Sequence, residues 1–337
     1  MGGPVVCFGE LLVRLSAPAN EVLLQSQKLD VCFGGAETNV AVNLAKLGHA
    51  SKMVTVTADN ALGHAARDEL RRHGVDVSGV RFAPGRMGLY FLTPGAGQRP
   101  SQVLYDRAGS AFAERAGEID WDQALAGADR LHVSGVTPAV GPQAAKAAVA
   151  ATKAARRLGV KVSMDGNYRP GLWALWDGDA PTILYEILQQ ADILFGDHRD
   201  IGLILRKPVG EGDAEALRAA AAKTAFEAFP SLTLMACIDR VVHSANDNDL
   251  TGFAFTRDGA WRTEPRNLSP IIDRIGGGDA FAAGMLHGVL EGLGEQASLD
   301  FAVAAAALKH AIPGDFNLVS RADVEGLLSG SGLDVKR

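Results

Sequence analysis

The chain has 337 residues, 47% of them hydrophobic and 21% charged, with a net charge of −6 at pH 7. This is the composition of a water-soluble globular protein with ample core. It excludes a nucleic-acid partner, which needs a basic stripe, and a membrane partner, because no run approaches the roughly 18 apolar residues of a span.

The first residues, Met1-Gly2-Gly3-Pro4, lead straight into an apolar stretch with no basic region or cleavage site, so a cytoplasmic location is expected. Strands are predicted over 5–9, 53–56, 130–134, 160–164, 193–195 and 232–237, most of them followed by a helix. Leu47-Gly48, His73-Gly74 and Leu158-Gly159 each close a periodic run with a glycine suited to a left-handed cap. Residues 11–33 and 81–111 break this rhythm with extended runs punctuated by Pro and Gly. In the second, Val103, Tyr105 and Arg107 share one face while Leu104 and Asp106 share the other.

The alternation predicts an α/β fold, a doubly wound and mostly parallel sheet flanked by helices, with a small β-sheet lid. The α/β domain takes 1–10, 34–80 and 112–330, the lid takes 11–33 and 81–111, and 331–337 is a flexible tail. An apolar lid face predicts a homodimer that buries it. Cys7, Cys32 and Cys237 are odd in number and far apart, and the eight histidines show no HxH or HxxxH spacing. A disulfide framework and a histidine metal site are therefore not expected.

The richest run is Asp273-Arg274-Ile275-Gly276-Gly277-Gly278-Asp279, which opens an Ala-rich helix. Three glycines let successive amides point at one spot, where the helix dipole adds its positive end and a phosphate fits. Asp279 beside that spot can take a proton from an attacking hydroxyl. A tight turn with Asp279 as a helix cap explains the same residues. A dinucleotide GxGxxG fails because position 281 is Phe281, and no Walker sequence occurs. A second small-residue site, Gly34-Gly35-Ala36-Glu37-Thr38-Asn39, lets a ligand approach the backbone at another helix start, unless it is only a loop before a helix.

The two sites, about 240 residues apart and in this order, together resemble the two signature motifs of the ribokinase-like, PfkB-type carbohydrate kinases. Within that family the chain looks most like 2-keto-3-deoxygluconate kinases, on the glycine run and on the tail Lys309-His310-Ala311-Ile312-Pro313-Gly314-Asp315-Phe316-Asn317. The resemblance implies ATP-dependent phosphorylation of a small sugar acid, with Mg2+, Asp279 as base and Asp315 by the substrate.

Tyr90, Tyr105 and Arg107 would reach the substrate from the lid, and Arg169 would reach it from a strand end. A guanidinium binds a carboxylate bidentately, unless an acidic neighbour such as Asp106 or Asp165 pairs with either arginine instead. The nucleotide is expected near Asn167, Arg169, Arg240, Ser244, Asn248, Gly276, Gly278 and Asn317. The stretch Asp197-His198-Arg199-Asp200 stands where the family carries NxxE, so Asp197 and Asp200 are the candidate metal residues, through water. The segment 234–249 departs from the family's glycine-rich nucleotide stretch. A kinase of a neutral sugar or nucleoside, and an inactive sugar-binding protein, remain as alternatives.

Overall fold

A computed structural model describes residues 2–330, so the tail expected at 331–337 lies outside the described residues. In chain order the strands are β1 (Val5–Phe8), β2 (Leu12–Ser16), β3 (Asp30–Gly34), β4 (Ser51–Ala58), β5 (Asp76–Ala83), β6 (Gly88–Thr93), β7 (Gln102–Asp106), β8 (Arg130–Ser134), β9 (Lys161–Asp165), β10 (Ile193–Phe195), β11 (Leu234–Ser244), β12 (Asp247–Phe255), β13 (Ala260–Arg262) and β14 (Arg266–Leu268). The large sheet runs β13-β12-β11-β10-β9-β8-β1-β4-β5, with β14 on β12, and the small one runs β3-β2-β6-β7. From β5 to β11 the large sheet is parallel, and only its β12 to β14 edge is antiparallel.

The strands of the parallel part are buried on both faces, which is why they read as short continuous apolar runs. Period-two alternation splits β1 between two cores. Val6 and Phe8 join one face, with the helix Pro142–Leu158, while Val5 and Cys7 join the other, with the helices Ala36–Lys46 and Gly277–Glu291. Phe8 is fully buried with its ring edge-on to Trp121 at 4.7 Å. Burial of that size contributes about 1.5–3 kcal/mol.

The chain winds outward from β1 to β5, then returns to place β8 on the other side of β1. This topological switch puts the ligand crevice of such a sheet at the carboxyl ends of the strands. The small sheet lies beside that crevice. Residues 81–83, grouped above with the lid, instead finish β5 in the large sheet.

The strand expected to end at 237 continues to Ser244 and turns back as β12, forming a hairpin. Asp239 and Arg240 interrupt the apolar run without interrupting the ladder. The tips of the two projecting hairpins touch. The Gly97 amide donates to Asn246 Oδ1 at 2.8 Å, and the Ala245 amide donates to the Gly97 carbonyl at 2.8 Å. Among the described residues, no helix is long and apolar enough to cross a membrane.

Candidate active site

The helix Gly277–Glu291 begins after Gly276, whose φ of 82° is left-handed and favours glycine. A Cβ there would also meet the Asp315 carbonyl oxygen at 2.1 Å. No side chain caps this helix, so its first amides stay open to a ligand. Gly276 and Gly278 line a cleft of about 790 Å³ between the large sheet and the lid. Gly277 packs inward against the His310 ring, so it shapes the turn rather than the cleft wall.

Asp279 lies in the first turn, and its Oδ2 accepts a 2.6 Å hydrogen bond from Asn39 Nδ2. The two glycine sites, 240 positions apart, therefore meet side chain to side chain. Burial pushes the Asp279 carboxyl up to about 7. Asp315 and Glu37 push the same way, against the pull of Asn39 and Arg169. A base with a pKa near the working pH is partly ionised and still basic, which is the condition for efficient proton transfer.

A general base at Asp279 would act only when ionised, so kcat/KM would then fall about tenfold per pH unit below a midpoint near 7, whereas an unperturbed carboxylate would hold activity down to about pH 4. A kcat/KM profile from pH 5 to 9 that stays flat to its acid end would remove Asp279 from this role.

On the lid side, the Asp315 carboxylate is buried and accepts from Tyr90 Oη at 2.6 Å and from Arg14 Nη1 at 3.0 Å. Gly34 makes room for it, since a Cβ there would meet Asp315 Oδ2 at 2.0 Å. Arg14, which sequence reasoning missed, stands on β2 with 4% exposure. Its Nη2 donates to Asp273 Oδ2 at 2.7 Å and its Nε to Ser16 Oγ at 2.6 Å. Asp273 also accepts from the amides of Gly314 at 3.0 Å and Ile275 at 3.0 Å. One guanidinium thus joins the lid, the glycine turn and the tail. Its signal was the alternation Leu12, Arg14, Ser16, a charge on the inner face of a strand.

Arg107 reaches the cleft with Tyr105, but its partner is not the neighbouring Asp106. Arg107 Nε donates to the buried Glu10 at 2.6 Å, while Asp106 pairs with Arg86. Arg169 is exposed and lines the same cleft, and the only hydrogen bond of its guanidinium among the described residues goes to the Tyr168 carbonyl at 3.3 Å. Two guanidinium groups therefore face one cleft.

Gly35, Ala36 and Asn39 also line it, as residues three apart on one helical face. Glu37 and Thr38 do not. Glu37 turns inward to accept from the Ser134 amide, Ser134 Oγ and Thr137 Oγ1 at 2.8, 2.7 and 2.6 Å, and Thr38 packs on Met53. These two fasten the helix start to the switch point instead of meeting a ligand.

Of the residues expected near a nucleotide, Asn167 and Arg240 line the cleft, and Arg199 and Arg274 join them unforeseen. Burial lowers Arg240 to about 10, and its Nε has no partner among the described residues. Ser244 and Asn248 shape the β11–β12 turn. Asn248 is fully buried and, with its amide in the satisfied orientation, donates to the Ser244 and Asp247 carbonyls. Asn317 is tied to the Ala305 carbonyl at 3.2 Å, away from the cleft. These three are structural.

Asp197 and Asp200 form a capping box on the helix His198–Ile204, and Arg199 claims Asp197 at 2.6 Å. Neither lines the cleft: both oxygens of Asp197 are held by Arg199, and Asp200 Oδ2 accepts from the Asp197 amide at 2.9 Å. Asp165, the last residue of β9, does line it, and its carboxyl has no hydrogen-bond partner among the described residues. No cluster of three or more metal-ligating side chains occurs among the described residues. Magnesium that arrives with a nucleotide needs only one or two carboxylates besides phosphate and water, so Asp165 fits that lighter requirement.

The chain matches the family model described as pfkB family carbohydrate kinase over residues 4–315. It is 30% identical to the 2-dehydro-3-deoxygalactonokinase of Haloferax volcanii over 100% of both chains. It is 28% identical to the 2-dehydro-3-deoxygluconokinase of Thermoproteus tenax over 92% of this chain and 89% of that one. The crystal structure of the 2-dehydro-3-deoxygluconokinase of Thermotoga maritima superposes with a TM-score of 0.91 and 36% identity, covering 98% of this chain and 99% of that one.

Proposed function

We propose that this chain, which belongs to the pfkB family of carbohydrate kinases, transfers the ATP γ-phosphoryl group to the 6-hydroxyl of 2-keto-3-deoxygluconate. The observation that carries the reading is the meeting of Asp279 with Asn39 beside uncapped helix amides, in a cleft that Arg107 and Arg169 also enter. A base, an anion hole and the free guanidinium fork of Arg169, with Arg107 held beside the cleft by Glu10, then serve one acidic substrate.

The substrate hydroxyl gives its proton to Asp279 as its oxygen bonds to the γ-phosphorus, and the bond from that phosphorus to the ADP oxygen breaks. The amides at the start of the helix Gly277–Glu291 hold the negative charge on the transferring group, and Arg240 and Arg274 hold the remaining phosphates. Asp315, fixed by Tyr90 and Arg14, accepts hydrogen bonds from sugar hydroxyls. Magnesium supplied with the nucleotide would neutralise phosphate charge, with Asp165 as the carboxylate offered to it. The lid keeps water from competing as acceptor.

The deciding experiment is an assay of ADP release on 2-keto-3-deoxygluconate, its galactonate epimer, gluconate, fructose and ribose. The Haloferax relative makes the galactonate epimer a specific second reading. The acceptor with the highest kcat/KM chooses between them, and preference for fructose or ribose would overturn both. Arg169→Ala should raise KM for the acidic sugar by about tenfold or more, a loss of 1.4 kcal/mol or above, while changing KM for a neutral sugar little. Equal changes for both would place Arg169 on the nucleotide instead.

The same reading has a second copy cover the outer face of the lid, where Val31 and Leu104, aligned through Leu15 and Phe91, are 59% and 60% exposed. Sedimentation equilibrium of the chain with Leu104→Glu should show dissociation to the monomer.

A further inference from the structure

At the amino ends of β8 to β11, the end of the sheet away from the active-site cleft, lies a second cavity of about 270 Å³. Arg130, the first residue of β8, lines it with 6% exposure, and its Nε and Nη1 are buried without a hydrogen-bond partner among the described residues. A buried guanidinium stays charged, so leaving it unpaired is unfavourable by several kcal/mol.

Asp192 and Asp129 both lie near Arg130, yet neither accepts from its Nε or Nη1. Asp192 is already engaged by the Val162 amide at 2.8 Å, Lys161 Nζ at 3.2 Å and Arg156 Nη1 at 3.5 Å. Glu295 stands at the rim, exposed to water. The Nε and Nη1 of Arg130 are therefore left without an acceptor at the cavity wall. The helix Glu295–Lys309 has no side-chain cap at its start and opens on the same space through Ser298, adding the positive end of its dipole. Opposite, Ile193 and Met285 are buried and Val289 and Leu293 half exposed, giving an apolar wall.

We propose that this cavity binds a small organic monocarboxylate, its two oxygens on the Arg130 guanidinium and its short carbon chain against Met285 and Val289. The planar fork of arginine matches a carboxylate, and the apolar wall selects a carbon body over a fully hydrated inorganic anion. Met285 and Val289 belong to the helix whose first turn holds Asp279, so the two sites share one rigid element.

The test is calorimetric titration of the full chain with sodium propionate, alongside Arg130→Met, Val289→Trp and Arg169→Ala. We expect one saturable site in the unaltered chain, weakened about tenfold or more in Arg130→Met and in Val289→Trp, and retained in Arg169→Ala. The proposal falls if there is no saturable binding, if neither cavity variant weakens it, or if Arg169→Ala alone removes it. Sulfate that competes as well as propionate would overturn the carboxylate assignment. Should Arg130→Met fail to fold, Val289→Trp decides, because it plugs the mouth from an exposed position without removing the guanidinium.

Discussion

Asp279→Asn should lower kcat by roughly 10²–10⁴-fold with KM for both substrates changed only severalfold, the usual loss when a general base is removed. The substitution keeps the shape of the side chain, and an amide oxygen can still accept from Asn39. What disappears is the capacity to take a proton. The same variant should be more stable than the parent at pH 8. The folded carboxyl is raised to about 7, so above its ordinary range near pH 4 the native state binds a proton that the unfolded chain has lost. Ionising it in the folded protein therefore detracts from stability by up to a few kcal/mol, a penalty that the neutral Asn does not have. Full turnover in Asp279→Asn, or a melting temperature that falls at pH 8, would contradict the assignment. Loss of activity with a gain in stability is the pattern of a strained catalytic group.

Arg14→Met should destabilise the fold by about 3–5 kcal/mol, because it leaves Asp273 and Asp315 buried without their shared cation. Urea unfolding measures this directly. Adding Asp273→Asn and Asp315→Asn should restore part of the loss, since the neutral amides no longer need a counter-charge. A midpoint unchanged from the parent would mean that solvent reaches the pair and that the strap is worth no more than a surface contact. Turnover should suffer as well, for Asp315 and the glycine turn both lose a fixed partner.

The fold was legible because its physical signals are local. Continuous apolar runs such as 130–134 and 193–195 reveal strands buried on both faces, and glycine caps after 47 and 158 reveal where helices stop. The β11–β12 hairpin was not legible past residue 237. Its polar residues face the cleft, and a ladder does not require apolar side chains.

At the site, Asp279, Asn39, Arg169 and Asp315 could be found because each belongs to a motif or follows a strand end. Glu37, Thr38, Asn248 and Asn317 carry the same polar chemistry but point inward. Direction is set by helix rotation and turn shape, which one sequence does not print. Arg14 and Arg274 were hidden for the opposite reason. Their partners lie hundreds of residues away or across an open cleft, so the alternation around Arg14 and the run that holds Arg274 mark a face or a turn but not what either arginine meets.

The contact between the hairpin tips ties the timing of turnover to the architecture. While Gly97 holds Asn246 and Ala245, the cover over the sugar and the β11–β12 hairpin that carries Arg240 cannot swing apart separately. On the proposed function, substrate entry and product departure would then share one opening. Two ordinary hydrogen bonds fasten it with about 1–3 kcal/mol, small beside the roughly 13–17 kcal/mol barrier of an enzyme turning over about 1 to 1,000 times per second. On the proposed function, a bound ligand that reaches both hairpins would add to this contact and hold the two tips together.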